Sequence, residues 1–195
     1  KRYYVGRIRF TGNDTTRDKV IRREIYMNEG EVFNTEALKM SIKRVNQLGY
    51  FKQMEGAPDI RPSETADNKV DVTFKVEEQN RNQFTFGGGV SGLEGTFVNA
   101  SFSTANFLGL GETFQISAQT GKRTKNYQFA VTEPYLFDRP ITAGIDIYKR
   151  KIIYQTYASA NVFGYQDDRT GGSFTTGFPL GRFSRVFLNY AYEVV

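Results

Sequence analysis

The chain has 195 residues and a formal net charge of +5, and it contains no cysteine, histidine or tryptophan. The absence of cysteine excludes disulfides, cysteine nucleophiles and thiolate metal sites. The absence of histidine removes the commonest general base and most transition-metal sites. Much enzymology is therefore excluded, and we expect no catalytic residues, cofactor or metal. Charges of both signs are mixed along the chain without a basic stripe, so nucleic-acid binding is not expected either.

The composition changes near Asn82. Of residues 1–82, 29 are charged, whereas only 18 of the following 113 are, and the aromatic residues increase from 8 to 21. Such a change indicates a domain boundary, and we predict domains over 1–80 and 83–195. No apolar run is long enough for a membrane helix. Because the chain begins at Lys1, we expect an excised or processed segment.

The first half is predicted to fold as a small α+β module in the order β-α-α-β-β. Strands are expected over 3–10, 51–60 and 69–78, the last with a strict alternation of apolar and polar residues. The strand over 51–60, if it lies at the sheet edge, is a place where an extended client segment could pair. An edge covered by other parts of the protein is the alternative.

Two helices are expected between the first two strands. Thr15 or Thr16 is the predicted N-cap of the first helix, and Gly30 its end. Thr35 is the predicted N-cap of the second, which should end at Gly49. Both helices carry a one-sided apolar stripe, so they should pack on one face of the sheet.

The second half has no helical period and alternates at period two throughout. For example, Tyr127, Phe129 and Val131 oppose Gln128 and Thr132. Turn signals separate about seven strands of about ten residues, which predicts an antiparallel meander. One of these turn signals includes the adjacent acids Asp167 and Asp168, which we interpret as loop charges.

A soluble sandwich and a membrane barrel share this alternation, but three details favour the barrel. The polar faces are mostly Ser, Thr, Gln and Asn, the strands are long for a sandwich, and aromatics crowd the strand ends. The set of strands ends at Val195 and would leave an open edge, which lipid does not tolerate. We therefore expect an incomplete transmembrane β-barrel segment that belongs to a larger barrel.

Several short motifs occur in a specific order along the whole chain. They cover residues 8–15, 21–24, 28–30, 48–51, 70–78, 86–91, 106–111 and 133–138. In this order they resemble the outer-membrane assembly proteins of the BamA type, which carry periplasmic POTRA modules before a transmembrane barrel. The resemblance implies a POTRA module followed by the first barrel strands, in a Gram-negative outer membrane with the POTRA part in the periplasm. The family's lumenal arginine loop and closing C-terminal strand have no counterpart here.

Residues 87–92 match G-x-G-x-x-G, but a strand rather than a helix is predicted after them, which argues against a dinucleotide site. A glycine-rich barrel strand is the plain interpretation. The resemblance implies more, namely a lateral gate at which a client strand pairs with the exposed first-strand edge. The candidate gate residues are Phe84, Phe86, Gly87, Gly88, Gly89 and Val90.

The resemblance also implies a partner surface. Arg23 and Glu24 are candidate contacts for an accessory lipoprotein, although a solvated helix face is the alternative. The implied function is outer-membrane protein insertion within a BAM complex. Its expected partners are unfolded outer-membrane proteins, accessory outer-membrane lipoproteins, periplasmic chaperones and the lipid bilayer.

Other functions are compatible with parts of the sequence. A TamA-like or two-partner-secretion translocation pore belongs to the same superfamily. A passive porin-like channel is a different class, which the soluble front module argues against. A soluble adhesin or sandwich would not need detergent.

Overall fold

The computed structural model describes residues 2–54, 56–64, 66–158, 161–181 and 184–195, with side chains omitted over 155–163. The chain forms two compact units. Unit 1 comprises Lys1–Arg81 and Leu108–Gly111, and unit 2 comprises Asn82–Phe107 and Glu112–Val195. Among the described residues, no helix has both the length and the apolar character needed to cross a membrane.

Unit 1 contains a three-stranded sheet and two helices. Its elements are β1 (Tyr4–Thr11), α1 (Asp18–Arg22), α2 (Thr35–Leu48), β2 (Asp59–Pro62) and β3 (Lys69–Lys75). The sheet order is β1-β3-β2, with β3 parallel to β1 and antiparallel to β2. A parallel pair needs a long crossover, which the two helices provide. The predicted β-α-α-β-β order is confirmed.

The core of unit 1 lies on one face of this sheet. Val5 and Ile8 of β1, Val72 and Phe74 of β3, and Leu38 of α2 are all at most 5% exposed and pack together. The alternation of buried and accessible residues along β3 is the one expected from its sequence. Hydrophobic burial on this face therefore accounts for the packing of α2 against the sheet.

The first helix is much shorter than predicted. It ends at Arg22 instead of Gly30, because the chain after it pairs with β1. Gly30 donates its N–H to the Val5 carbonyl at 2.8 Å, and Phe33 donates to Tyr3 at 2.9 Å. Amides committed to a strand cannot continue a helix.

The predicted N-caps are also wrong. Asn34 caps α2, since its side chain accepts the N–H groups of Glu36 and Ala37 at 2.9 and 3.4 Å, and Thr35 is the first helical residue. The N-cap of α1 is Arg17, which makes no side-chain capping bond. Gly49 ends α2 as predicted, in the left-handed region at φ +70°.

The predicted strand over 51–60 is mostly absent. Phe51 forms an isolated bridge with Glu78, and regular pairing resumes only at β2. Between them the N–H of Met54 donates to the Asn46 side chain at 3.0 Å, and Pro58 has no N–H to offer. The intervening chain therefore leaves the edge of β3.

Unit 2 is one antiparallel sheet of seven strands. They are β4 (Asn82–Ser91), β5 (Gly95–Phe107), β6 (Glu112–Gly121), β7 (Thr124–Glu133), β8 (Thr142–Ala158), β9 (Asn161–Pro179) and β10 (Arg185–Val194). Each strand pairs with the next in sequence, so the predicted meander is confirmed. A short 3-10 helix, Leu136–Asp138, lies between β7 and β8.

The turn predicted at Asp167 and Asp168 is wrong. Both residues lie inside β9, where they pair with Ile152 and Lys151 of β8. Arg169 balances the charge of Asp167 at 2.8 Å, which lets an acid stay within the ladder. Local turn propensity was overridden here by continuous pairing with the neighbouring strand.

One face of the sheet is apolar across neighbouring strands. Phe102, Ile116, Phe129 and Ile147 are successive cross-strand partners on β5 to β8. The last three are 46%, 39% and 52% exposed, so no described part of the chain covers them. A large uncovered apolar sheet face is what a lipid-facing barrel wall requires.

The opposite face is polar and internally bonded. Gln128 donates to the Asp146 carboxylate at 2.7 Å, and Arg169 pairs with Asp167 and with Glu193 at 3.3 Å. These contacts link β7 to β8 and β9 to β10 through side chains of opposite polarity. In a membrane barrel the polar face of the sheet lines the lumen.

Replacing Phe74 by alanine should lower the free energy of unfolding of unit 1 by about 3–5 kcal/mol, because a fully buried ring leaves a cavity. Denaturant-dependent hydrogen exchange of amides in β1 and β3 measures this. Phe86→Ala is the matched control, since that ring is 74% exposed in unit 2. Equal effects of the two variants would contradict the assigned core.

Candidate functional site

The β4 strand forms one edge of the seven-stranded sheet. It pairs with β5 at ten consecutive positions, from Asn82↔Thr104 to Ser91↔Gly95. Within the described chain no strand pairs with its other side. In an antiparallel ladder alternate residues turn their N–H and C=O groups away from the partner. This edge therefore offers a row of backbone donors and acceptors to another strand.

The side chains of β4 divide between the two faces. Phe84, Phe86 and Val90 lie on the apolar face and are 72%, 74% and 80% exposed. Gln83 and Thr85 lie on the polar face. The structure thus brings all the predicted gate residues together on one edge strand, with its large apolar groups on the lipid-facing side.

The glycines of β4 allow close approach to β5. A Cβ on Gly88 would lie 2.9 Å from the Phe97 carbonyl oxygen, and one on Gly89 would lie 3.1 Å from the Phe97 ring. The ring of Phe97 therefore covers Gly89 from the neighbouring strand. Without side chains of their own, these residues contact β5 mainly through the backbone.

The G-x-G-x-x-G match is part of a strand and a turn. Residues 87–91 belong to β4, and β5 begins at Gly95. A dinucleotide site would need a helix N-terminus after the glycines, and a strand lies there instead.

Arg23 and Glu24 directly follow α1 and are not on a solvated helix face. Glu24 is 5% exposed, and its Oε2 lies 3.1 Å from Nε of Arg44 on α2. The guanidinium of Arg23 lies close to Gly111, where a Cβ would be 2.5 Å from Nη2. Glu24 is therefore buried and Arg23 half-buried, and Arg44 is the accessible member of the ion pair with Glu24.

Glu78 holds the loop before α1. Its carboxylate accepts the N–H of Thr15 at 3.0 Å and that of Thr16 at 2.5 Å. Burial raises the pKa of Glu78, but the hydrogen bonds from Thr16 and Thr15 outweigh it, and the pKa lies below its ordinary value. No sequence pattern indicates this contact, because 62 residues separate Glu78 from Thr16.

A groove of about 1000 Å³ runs along β3 where β2 stops. Lys52, Met54, Ile60 and Lys75 are among its lining residues. The groove lies where strand pairing was predicted over 51–60. Asp59 pairs with Thr73, and the N–H of Lys52 donates to the Glu77 carbonyl. Between these two points no strand of the described chain pairs with this side of β3.

Comparison with known families covers both units. The POTRA family model, described as "Surface antigen variable number repeat", matches residues 3–79. The model described as "Omp85 superfamily domain" matches residues 106–195. Residues 3–79 belong to the POTRA family and residues 106–195 to the Omp85 superfamily.

Curated relatives extend the similarity along the chain. The outer membrane protein assembly factor BamA of Buchnera aphidicola is 27% identical over 192 residues, which are 98% of this chain and 30% of that protein. BamA of Neisseria meningitidis serogroup B is 29% identical over 186 residues, 95% of this chain and 23% of that protein. The mouse sorting and assembly machinery component 50 homolog is 31% identical over 155 residues, 74% of this chain and 32% of that protein.

Solved structures match the chain over nearly its whole length. BamA from Haemophilus ducreyi lacking POTRA domains 1–3 matches with a TM-score of 0.76 at 29% identity, over 99% of this chain and 36% of that one. CdiB from Escherichia coli matches at 0.63 and 15% identity, over 97% of this chain and 38% of that one, and indicates the fold alone. The chain therefore spans about a third or less of the curated relatives it matches.

The sequence prediction of a BamA-type protein with a POTRA module and a partial barrel is confirmed. So is its location in the bacterial outer membrane with the POTRA part in the periplasm. The named BamA relatives are outer membrane protein assembly factors.

Glu24→Gln should destabilise unit 1 by about 1–3 kcal/mol, because it removes the charged partner of Arg44 from a buried position. Hydrogen exchange of α2 amides measures the loss. The double exchange Glu24→Arg with Arg44→Glu should recover part of it. Unchanged protection in Glu24→Gln would contradict a structural role for the pair.

Glu78→Gln should make the stability of unit 1 less dependent on pH in the acid range. Since the pKa of Glu78 is lowered on folding, its contribution to the stability of unit 1 is fully present above the ordinary glutamate pKa of 4.5. It is lost as the pH falls through the folded pKa. Unfolding of unit 1 followed between pH 6 and 3 should therefore show a shallower loss in the variant. Glu77→Gln is the matched control, because Glu77 is exposed and pairs only with Lys52 among the described residues.

Proposed function

We propose that the chain takes part in inserting β-barrel proteins into the outer membrane as a non-enzymatic insertase. In this proposal the POTRA domain receives clients or accessory proteins in the periplasm, and the β4 edge provides a template for the first incoming strand. The proposed partners are unfolded outer-membrane proteins, accessory outer-membrane lipoproteins, periplasmic chaperones and the bilayer.

The observation that carries this proposal is the β4 edge. Its ten residues pair with β5 alone within the described chain, and its outward backbone groups are available for a further ladder. Backbone pairing depends little on the client's side chains, which suits a protein with many clients. The glycines at 87–89 present no side chain that an incoming strand would have to match.

The free energy for insertion would come from the client. An unpaired backbone group in the hydrocarbon region costs several kcal/mol, so a lone strand does not enter lipid. Pairing with β4 would satisfy the donors and acceptors of that strand as it leaves water. The exposed apolar side chains of Phe84, Phe86 and Val90 would hold β4 within the hydrocarbon region. No nucleotide is needed for such a step.

The groove beside β3 supports a docking role for the POTRA domain. It lies beside β3, next to the part of that strand that pairs with β2. A short extended peptide segment could bind there through backbone hydrogen bonds. Lys52 and Lys75 at its border would favour acidic residues in that segment.

The contact of Arg23 and Glu24 with an accessory lipoprotein stays a prediction. Because Glu24 is buried against Arg44, a partner would reach this site through the exposed part of the Arg44 side chain. The Glu24→Gln variant then alters both stability and binding, whereas Arg44→Lys keeps a cation beside Glu24 and would isolate the binding effect.

Cysteine cross-linking during client insertion tests the templating step. The chain has no cysteine, so Thr85→Cys places a single thiol on β4. With single cysteines scanned along a client strand, we expect disulfides at alternate positions of one register, because paired strands bring facing residues within bonding distance. The protein is assayed in lipid vesicles with an unfolded barrel client.

Ser117→Cys in β6 is the matched control. It lies on the same face, but Ser101 and Gln128 already flank it in neighbouring strands. Cross-linking at Thr85→Cys should exceed that at Ser117→Cys several-fold. Equal yields, or yields without a two-residue period along the client, would rule out templating at β4.

A further inference from the structure

A group of three lysines lies on the apolar face of unit 2. Lys125 of β7 is the direct cross-strand partner of Lys151 of β8, and Lys149 is two residues before Lys151 on the same face. Among the residues whose side chains are described, none makes an ion pair or side-chain hydrogen bond with these ammonium groups. We call these three residues the lysine cluster.

The position of the lysine cluster along the strands places it at the outer side of the membrane. The POTRA part is periplasmic and directly precedes β4, so β4 starts at the periplasmic end. The strands alternate in direction, so β7 starts and β8 finishes at the extracellular end. Lys125 is the second residue of β7 and therefore lies near the extracellular end. Lys149 and Lys151 are the eighth and tenth residues of β8, which places them past the middle of the membrane.

The distance along β8 supports this placement. Seven residues separate Thr142, the first of the strand, from Lys149, which corresponds to about 23 Å along the strand. With the usual barrel tilt the rise is about 18 Å, and Lys151 lies roughly 5 Å higher. The apolar band of such barrels is about 25 Å tall, so the lysine cluster falls at its outer border.

An apolar groove of about 300 Å³ lies directly beside the lysine cluster. It is lined on this face by Ile116, Tyr127, Phe129 and Ile147, and Lys149 of the lysine cluster also contributes to its lining. Tyr127 is the cross-strand partner of Lys149, so groove and charge are continuous. The apolar lining and the adjacent ammonium groups suit an acyl chain that ends in an anionic head group.

We propose that the lysine cluster and this groove bind a phosphorylated glycolipid of the outer leaflet, the lipid A part of lipopolysaccharide. The three ammonium groups would bind a phosphate, and the groove would hold one of its acyl chains. This inference depends on the outer-membrane location of the chain and not on strand templating.

Charge balance supports an anionic ligand. Like charges directly opposite in a sheet repel each other, and here Lys125 and Lys151 are such a pair. Asp168, opposite Lys151 on β9, compensates one charge, which leaves the group at +2. A lipid A phosphate would compensate the remainder, and Thr170 opposite Lys149 adds a hydroxyl at the same level.

Lipid binding to the full-length protein in detergent tests the proposal by native mass spectrometry. The probes are bis-phosphorylated lipid A, its dephosphorylated form and phosphatidylglycerol. Replacing all three lysines by glutamine should weaken lipid A binding on the order of 100-fold, since each lysine beside an anionic lipid contributes roughly fivefold. The dephosphorylated lipid should bind weakly to both forms.

Arg150→Gln is the matched control for charge. Arg150 lies between two of the lysines on the same strand but on the opposite face, so its loss should leave lipid A binding within about twofold. Ala118→Phe, on the groove face, should weaken binding by filling the groove without changing charge. Heat-modifiable gel mobility verifies that each variant is folded.

Three results would overturn the proposal. They are an unchanged affinity of the triple variant for lipid A, an equal loss in Arg150→Gln, and phosphatidylglycerol binding as tight as that of lipid A. Client insertion in vesicles that lack glycolipid separates this proposal from strand templating. The triple lysine variant should insert clients normally there, whereas failure of templating would appear in the Thr85→Cys cross-linking alone.

Discussion

The requirement that every backbone N–H and C=O be paired in lipid governs the membrane part of this protein. Ladders of eight to seventeen residue pairs between successive strands satisfy that requirement inside the sheet. The sheet leaves two edge strands, β4 and β10, whose outer sides pair with no other strand of the described chain. An edge that is costly in a finished barrel is useful in a protein that meets unfolded strands. The structure and the proposed function therefore follow from one constraint.

The membrane part was largely predictable from sequence because its determinants are periodic. Alternation at period two fixes which residues share a face, and the row from Phe102 to Ile147 has the register that the pattern predicts. Asp167 and Asp168 are the exception. Their turn propensity is a local signal, whereas their place in β9 depends on the partner strand β8.

The POTRA domain was predictable in its order of elements but less so in its details. Short polar contacts between distant residues decide where its elements begin and end. Asn34 replaces Thr35 as the cap, Gly30 and Phe33 bond to β1, and Glu24 turns inward to Arg44. Such contacts follow from packing in three dimensions, and a sequence pattern contains no information on them. For the same reason the burial of Glu24, one of the two partner candidates, could only come from the structure.

The lengths of β8 and β9 have a consequence beyond the membrane. They have 17 and 19 residues, whereas about ten suffice to cross a bilayer, and their pairing continues to Ala158↔Asn161. The surplus of each strand must therefore extend into water on the cell's outer side, as a ribbon that lipid does not cover. A molecule that approaches from outside the cell reaches this ribbon before the membrane wall. Substitutions in that ribbon would therefore change the surface that extracellular molecules contact, while the membrane wall and the β4 edge stay intact.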